Sequence, residues 1–322
     1  MKRRTTYILM LVVSLTTAAV FSFLFIQGKD VPTGLQGLIN PTGAPEFKQQ
    51  LTGSFDSALD KPMDIAVSDS FIFVSDTNNK RVSVFDLAGS PLYNFGEEGD
   101  KPGQFKFPYG ISTDSKGRVY VADLYNGNIS ILDEKGKFID YFAKEYTKEK
   151  KITSPGGLRI IDEKVYVTDI QQNKVFIFDI NGKLIREIGK PGKDDGEFIA
   201  PNSITADQDG NIYVVDTGNQ RVQVFDKEGK FVRIINGSQD GKGDSIFVNP
   251  RGIGIDSRGL IYVVSNLTHI IYGFNKDGEQ AFQFGSMGEG NGQFNLPNGL
   301  YIDGEDNVFI TDTLNLRVAM FN

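Results

Sequence analysis

The chain has 322 residues, of which 39% are hydrophobic and 23% are charged, so it can bury a core and is not a disordered chain. Its 36 glycines and 25 phenylalanines favour turns and strands, which indicates an all-β fold. The formal charge is −7, and setting aside Lys2, Arg3 and Arg4 leaves −10, which argues against nucleic acid as a partner. The chain has no cysteine and a single histidine, His269, which excludes thiolate and multi-histidine metal sites, so no cofactor is expected.

Residues 7–26 form an uncharged apolar stretch of 20 residues behind a basic N-terminus. As a helix this stretch would be about 30 Å long, which matches the apolar core of a bilayer. A cleaved signal peptide is the alternative, but the stretch is longer than a usual signal-peptide core and no small-residue cleavage site follows it. We therefore expect a cytoplasmic tail over 1–6, a single-pass membrane anchor over 7–26, and the rest of the chain outside the cytoplasm.

A linker is expected between the anchor and the folded domain. Residues 27–45 contain four glycines and three prolines and show no hydrophobic period. The folded domain is expected to cover residues 46–322.

Six tandem repeats of about 47 residues fill that domain. One marker is a turn that begins with Asp, or once with Ser, and its spacings are 47, 46, 47, 49 and 47 residues. A proline marks the start of each repeat with spacings of 46, 47, 46, 49 and 47 residues. The turns begin at Asp76, Asp123, Asp169, Asp216, Ser265 and Asp312, and the prolines are Pro62, Pro108, Pro155, Pro201, Pro250 and Pro297.

The fourth repeat shows the internal pattern. Its predicted strands cover 201–207, 212–216, 221–226 and 231–235, and tight turns rich in Gly, Asn and Asp separate them. Four antiparallel strands in each repeat form a propeller blade, so the sequence predicts a six-bladed β-propeller.

Closure of the ring is predicted from the two ends of the domain. The sixth repeat stops after its third strand, and an unpaired strand is predicted over about 47–55, before the first repeat. We expect this N-terminal stretch to supply the missing fourth strand and so remove the open sheet edges.

The repeated motif resembles that of the NHL-repeat family over about residues 46–322. The motif reads P-x-G-I, then Y-V-x-D-x-x-N-x-R-V-x-V-F-D, then G-x-F-x-x-P, as seen in Pro108–Ile111, Tyr213–Asp226 and Gly189–Pro201. The resemblance implies a six-bladed propeller, but the family includes RNA-binding proteins, ubiquitin ligases, a peptide-amidating lyase and bacterial sensors. This chain lacks the cysteines of a RING domain and the histidines of the lyase's zinc site.

The repeated acidic residues have a structural interpretation. An Asp in nearly every blade is expected to accept backbone hydrogen bonds and fix its turn, and Arg81, Arg221 and Arg317 are expected to tie down the same turns. Turns such as 207–211 and 303–307 resemble fragments of calcium loops, yet tight hairpins favour the same residues. His269 replaces a regular element of the fifth repeat and is interpreted as an inert surface residue.

Positions that vary inside the regular frame are the candidate binding residues. The residue after each marker proline should lie near the axis on one face, and the tip of the following turn should join that face. The predicted ligand- or partner-binding residues are Met63, Tyr109, Tyr125, Asn202, Arg251 and Asn298.

Two classes of function follow. The first is a membrane-tethered binding or scaffold module that recognises a protein, peptide or glycan outside the cytoplasm through this face. The second is a lyase or hydrolase with an active site on the same face that does not use zinc and histidine. A convergent Asp, Tyr and Arg pocket with shifted pKa values would favour the enzyme, and a broad, shallow face would favour the binding module. A structural part of an envelope complex and a channel that holds only water are the further alternatives.

Overall fold

The computed structural model describes residues 43–54, 56–149, 151–238 and 240–322. The predicted anchor over 7–26 lies outside these residues. Within the described ranges, no helix combines the length and the apolar character needed to cross a membrane.

Six four-stranded antiparallel sheets make up residues 45–322, as the repeats predict. Before blade 1 come β1 (Phe47–Leu51), β2 (Gly53–Ser54) and β3 (Ser57–Ala58). Blade 1 contains β4 (Pro62–Val67), β5 (Phe71–Asp76), β6 (Arg81–Asp86) and β7 (Pro91–Phe95). Blade 2 contains β8 (Pro108–Thr113), β9 (Val119–Asp123), β10 (Asn128–Leu132) and β11 (Phe138–Tyr141). A short helix, α1 (Lys144–Lys148), leads to blade 3.

The other blades repeat the arrangement. Blade 3 contains β12 (Pro155–Ile161), β13 (Lys164–Asp169), β14 (Lys174–Asp179) and β15 (Leu184–Ile188). Blade 4 contains β16 (Pro201–Ala206), β17 (Ile212–Asp216), β18 (Arg221–Phe225) and β19 (Phe231–Ile235). Blade 5 contains β20 (Pro250–Ile255), β21 (Ile261–Ser265), β22 (Ile270–Phe274) and β23 (Gln280–Phe284). Blade 6 contains β24 (Pro297–Ile302), β25 (Val308–Asp312) and β26 (Arg317–Phe321), together with β1.

Burial along the strands explains their sequences. In blade 4 every residue of β17 and β18 is buried, so both faces of these strands must be apolar or hydrogen-bonded. The outer strand β15 alternates between partly buried and exposed residues, as expected for a strand with one face in solvent. The core therefore lies between neighbouring blades, where the two inner-facing sheets pack.

The predicted closure of the ring is confirmed. The strand β1 pairs antiparallel with β26, with Gln50 opposite Ala319 and Leu51 opposite Val318. The backbones of Glu46 and Asn322 exchange two further hydrogen bonds, of 2.9 and 3.0 Å. The first and last strands of the domain thus share blade 6, and the sheet has no unpaired edge at this junction.

Hydrogen bonds between blades hold the inner strands in a ring. The residue after the marker Asp or Ser donates to the carbonyl of the next blade's marker proline at four junctions. These bonds join Thr77 to Pro108 (2.6 Å), Thr217 to Pro250 (2.7 Å), Asn266 to Pro297 (2.7 Å) and Thr313 to Pro62 (2.9 Å).

Glycine lets the inner strands of blades 6 and 1 approach closely. A Cβ at Gly299 would lie 2.5 Å from the Met63 carbonyl oxygen and 2.7 Å from the Asp64 Cα. Real Cβ atoms do not come this close to backbone, so the strands would have to separate. The ring closes without distortion because this position has no side chain.

We expect Gly299→Ala to lower the free energy of unfolding by about 1–3 kcal/mol, as overpacking against rigid backbone does. Urea denaturation of the variant measures the loss. Gly304→Ala is the matched control in the same blade, because a Cβ there meets nothing within 4 Å. Equal losses for the two variants would contradict the close approach at the ring junction.

Candidate functional site

The top face of the propeller is defined by two sets of segments. One set comprises the connections that precede the first strand of each blade, such as 248–249 and 285–296. The other comprises the turns between the second and third strands, such as 266–269 and 313–316. The six binding residues predicted from the sequence lie at or just beneath this face.

The repeated Asp residues are part of the scaffold, as predicted. Asp76, Asp123, Asp169, Asp216 and Asp312 are fully buried. Each also accepts a backbone bond from a residue 15 to 17 positions earlier in the chain, which the sequence interpretation did not foresee; Asn295 to Asp312 (2.6 Å) is one example. The carboxylate therefore joins the turn to the connection that begins its own blade.

The three arginines that begin third strands serve the same junctions. The Nε atoms of Arg81, Arg221 and Arg317 lie 2.7, 2.8 and 2.8 Å from the carboxylates of Asp76, Asp216 and Asp312. Their remaining nitrogens donate to backbone carbonyls of the preceding connection, as from Arg221 to Asp194 (2.8 Å). These arginines are fully engaged in holding the top face.

Four of the six predicted binding residues meet at the axis. The hydroxyl of Tyr109 in blade 2 donates to Asn202 Oδ1 of blade 4 (2.5 Å) and lies 3.3 Å from Asn298 Oδ1 of blade 6. A hydroxyl has one proton, so Tyr109 donates it in the shorter bond, to Asn202. The Asn298 amide can turn so that its N–H group donates to the Tyr109 hydroxyl oxygen. Arg251 of blade 5 lies beside the same hydroxyl. Tyr109 thus reaches across the axis and links four blades.

The pKa of Tyr109 follows from this position. Burial raises it above its usual range, while the charge of Arg251 and the hydrogen bond to Asn202 oppose the shift. The net direction is upward, so the phenol keeps its proton at neutral pH. Tyr109 is placed to hold neighbours by hydrogen bonds rather than to accept a proton.

The axis is filled by side chains beneath its mouth. Met63 and Tyr109 are each 6% exposed, Asn202 is 3% and Asn298 is 7%. The sequence placed them near an open channel, and the structure instead packs them against one another. Arg251 is half-buried, and among the described residues its Nε is buried with no hydrogen-bond partner.

Tyr125, the sixth predicted residue, joins the axis through an aromatic ladder that consists of Tyr109, Phe107 and Tyr125. Ring centroids are 6.2 Å apart between Tyr109 and Phe107 and 4.7 Å apart between Phe107 and Tyr125. Tyr125 is 68% exposed, so the ladder runs from the buried axis to the surface of blade 2. The ammonium groups of Lys61 and Lys80 lie 5.3 and 5.9 Å from the Phe107 ring centroid, which favours cation–π contact.

An ion pair that the sequence analysis missed crosses the axis one layer lower. Arg159 of blade 3 binds both carboxylate oxygens of Asp64 of blade 1, at 2.7 and 2.9 Å, and both residues are buried. Arg159 also donates to the Leu300 carbonyl of blade 6 (2.9 Å), and Asp64 accepts from the Ile111 amide of blade 2 (3.2 Å). This pair ties together four inner strands.

A signal for this pair was present in the repeats. Two positions after the marker proline, five repeats have Gly or Ser and only one has Asp64. Four positions after it, four repeats have a small residue, and the exceptions are Arg159 and Tyr301. The guanidinium of Arg159 lies 5.9 Å from the Tyr301 ring centroid, so the bulky exceptions are neighbours.

The remaining sequence candidates have structural contacts. Asp207 and Asp303 each accept two backbone bonds within their own turns, as from Asn211 to Asp207 (2.8 Å). His269 is half-buried, and its Nδ1 accepts from the Leu296 amide (3.3 Å). Across the described ranges, no group of three or more His, Cys, Asp and Glu residues is arranged to hold a metal ion.

Comparison with known proteins agrees with the fold. Residues 139–222 match the model of a family described as "6-bladed beta-propeller". The chain is 28% identical over 114 residues to human NHL repeat-containing protein 3, which covers 34% of the chain and 32% of the relative. It is 44% identical over 52 residues to protein lin-41 of Caenorhabditis elegans, which covers 16% of the chain and 4% of the relative. The chain thus spans at most about a third of these curated relatives.

Solved structures share the architecture at low identity. A virginiamycin B lyase from Staphylococcus aureus has a TM-score of 0.59 and 16% identity, and the match covers 86% of this chain and 99% of that one. An auxiliary nutrient binding protein from Bacteroides thetaiotaomicron has a TM-score of 0.63 and 15% identity, and the match covers 86% and 75%. Identities this low support the fold alone.

The six blades make the chain a six-bladed β-propeller, and its repeated motif and sequence matches are similar to NHL repeats.

We expect Arg159→Met to lower the free energy of unfolding by about 3–5 kcal/mol, because it leaves the Asp64 carboxylate buried without its cation. The double variant Asp64→Leu with Arg159→Met should recover much of that loss, since it buries no unpaired charge. Lys106→Met removes an exposed pair with Asp100 and should cost less than about 1 kcal/mol. Additive losses in the double variant, measured in urea, would show that the two groups do not act as a pair.

Proposed function

We propose that this propeller is a binding module that recognises a protein or peptide partner through its top face. The observation that carries the proposal is the aromatic ladder, which exposes Tyr125 at one end and is anchored at the axis by Tyr109. Exposed aromatics on a rigid base contribute strongly to protein interfaces, because they bury a large area at little cost in conformational entropy.

The distribution of exposed apolar side chains supports the top face as the contact surface. Among the described residues, six of the eleven large hydrophobic side chains that are exposed lie on this face. Four others lie one to a blade on outer strands, and Leu87 lies in a turn on the opposite face. The six are Tyr125, Val248, Leu267, Met287, Leu314 and Leu316.

The aliphatic members of this set favour a protein or peptide over a glycan. Sugars stack on aromatic rings and bond to polar groups, but Leu, Val and Met on a surface match apolar side chains of a partner. The Leu267 amide donates to the Val248 carbonyl (3.2 Å). This bond joins the turn that carries Leu267 to the connection that carries Val248, both at the top of blade 5.

An enzyme is the second candidate, and one observation favours it. The charges of Arg251 and Asp64 both act on Tyr109, and burial raises the pKa of this phenol. Two features argue against catalysis by this set. The upward shift keeps the phenol protonated, and both oxygens of Asp64 are engaged by Arg159. The fold itself does not decide, since one structural neighbour is named a lyase and another a binding protein.

To test the binding function, the full chain in mild detergent serves as bait on solubilised envelope and secreted fractions. We expect Tyr125→Ala and Leu267→Ser to lose the captured partner at least about fivefold, because each removes exposed area from the interface centre. Ile185→Ser, on an outer strand and similarly exposed, is the control and should capture normally. Equal capture by all variants would move the contact away from the top face. Turnover of a small molecule without any partner would favour the enzyme.

We further propose that residues 7–26 anchor the chain in the cell membrane, with the propeller outside the cytoplasm. The apolar length and the basic residues before it support this orientation. Protease added to intact cells should remove a tag placed on the propeller and leave a tag on the N-terminus protected. Protection of both tags until lysis would overturn the orientation, and recovery in the soluble fraction would overturn the anchor.

A further inference from the structure

The two arginines on the innermost strands of the blades differ in their partners. Arg159 is held by both oxygens of Asp64, whereas Arg251 has no carboxylate within 4 Å among the described residues. The Nε of Arg251 is buried without a hydrogen-bond partner there. A buried donor without a partner is costly, so a guanidinium in this state is matched to a group that is not part of the described chain.

The neighbours of Arg251 do not neutralise it. The Tyr109 phenol beside it keeps its proton, and Asn202 and Asn298 are uncharged amides. The buried carboxylate of Asp64, whose charge acts on Tyr109, is already engaged by Arg159 and by the Ile111 amide. The mouth of the axis is therefore rich in donors and carries one uncompensated positive charge.

Two more cations stand at the aromatic ladder. Lys61 and Lys80 are half-buried beside Phe107, and neither has a carboxylate within 4 Å in the described ranges. Lys80 donates only to the Thr77 carbonyl (3.3 Å). The chain as a whole carries −7, so three cations without a paired carboxylate beside the axis are a local feature of the top face.

From this charge arrangement we infer that the top face receives an acidic peptide segment, with a carboxylate of the peptide on Arg251 and its apolar side chains on Tyr125 and on the Val248–Leu267 pair. The inference rests on the proposed binding function and names the chemistry of the partner. A guanidinium binds a carboxylate through two parallel hydrogen bonds, and Arg251 is only half-buried, so part of its side chain can be reached from the top face. The apolar side chains on the same face distinguish an acidic peptide from an acidic sugar.

A random peptide library displayed on phage, selected against the full chain in mild detergent, tests the inference. We expect the selected peptides to combine Asp or Glu with apolar residues. A synthetic copy of a selected peptide should bind Arg251→Gln about tenfold more weakly than the wild type, since a charge-assisted contact is lost. Replacing the peptide's acidic residue by its amide should reduce the affinity for the wild type by about the same factor. The two changes together should reduce the affinity little more than either change alone.

Two variants serve as controls. Arg186→Gln removes a half-buried arginine from the outer strand β15 and should bind as the wild type does. Arg251→Gln removes a buried unpaired donor and should melt at the wild-type temperature. If Arg251→Gln melts at a lower temperature, Lys61→Gln at the aromatic ladder tests whether peptide binding depends on positive charge. Raising the salt concentration tests the same dependence without a substitution, because the affinity should then fall.

The outcomes separate this inference from the proposed function. One outcome is that the selected peptides bind with an affinity that depends on Tyr125 and is unchanged in Arg251→Gln. That result would overturn the inference of an acidic partner and would leave the proposed binding function in place. A selection that yields no peptide dependent on Tyr125 would overturn the binding module itself. If the chain bound polygalacturonate and no peptide were selected, the partner would not be a peptide, and only the inferred contact with a carboxylate would stand.

Discussion

A buried carboxylate at the end of the second strand organises the top face in five of the six blades. Asp312 shows the pattern: it accepts from the Asn295 amide before its blade, from Asn315 in its own turn and from Arg317 in the third strand. Each carboxylate replaces the water it loses with several donors, which is what permits its burial. This repeated arrangement positions the connection that carries Phe107, and its serine counterpart in blade 5 positions the connection that leads to Arg251.

The individual character of the protein lies in the few inner positions where the repeat is broken. Most repeats place small residues along the innermost strand, and those residues let the blades approach one another. Asp64 and Arg159 are exceptions to this pattern, and they pair across the axis rather than within one blade. Tyr109, at a position that varies between repeats, also bonds across the axis, to Asn202. Four blades are linked in one layer by the ion pair and four in another by the phenol. Polar contacts consequently fill the axis. Arg251 lies at the mouth of the axis, and within the described residues it is the inner-strand arginine that has no paired carboxylate.

Much of the fold could be predicted because it depends on local pattern. Alternating turns, apolar strands and the marker prolines recur within each repeat, and the closure of blade 6 follows from counting strands. The ion pair could not be predicted in the same way. Asp64 and Arg159 each break the repeat pattern, but they are 95 residues apart and their pairing depends on how the blades are placed around the axis. The burial of Tyr109 was also out of reach, because the width of the axis depends on side chains from all six blades. Phe107 was missed because it stands in a connection that reads as a linker.

Blade 5 is the exception to the scaffold and the place where Arg251 stands. Ser265 replaces the buried carboxylate there, and its hydroxyl accepts one backbone bond, from Val248 (2.9 Å). The third strand begins with Ile270 instead of an ion-paired arginine. The connection that precedes this blade is held to its turn by neutral hydrogen bonds, such as those from Leu267 to the Val248 carbonyl (3.2 Å) and from Asn266 to the Asn249 carbonyl (3.3 Å). Neutral hydrogen bonds are weaker than those to a carboxylate, so this connection should open locally at lower free energy than its counterparts. A ligand bound at Arg251 would add contacts where the scaffold lacks its buried carboxylate. Binding there would therefore be coupled to local order, because part of the binding free energy would go into ordering this connection.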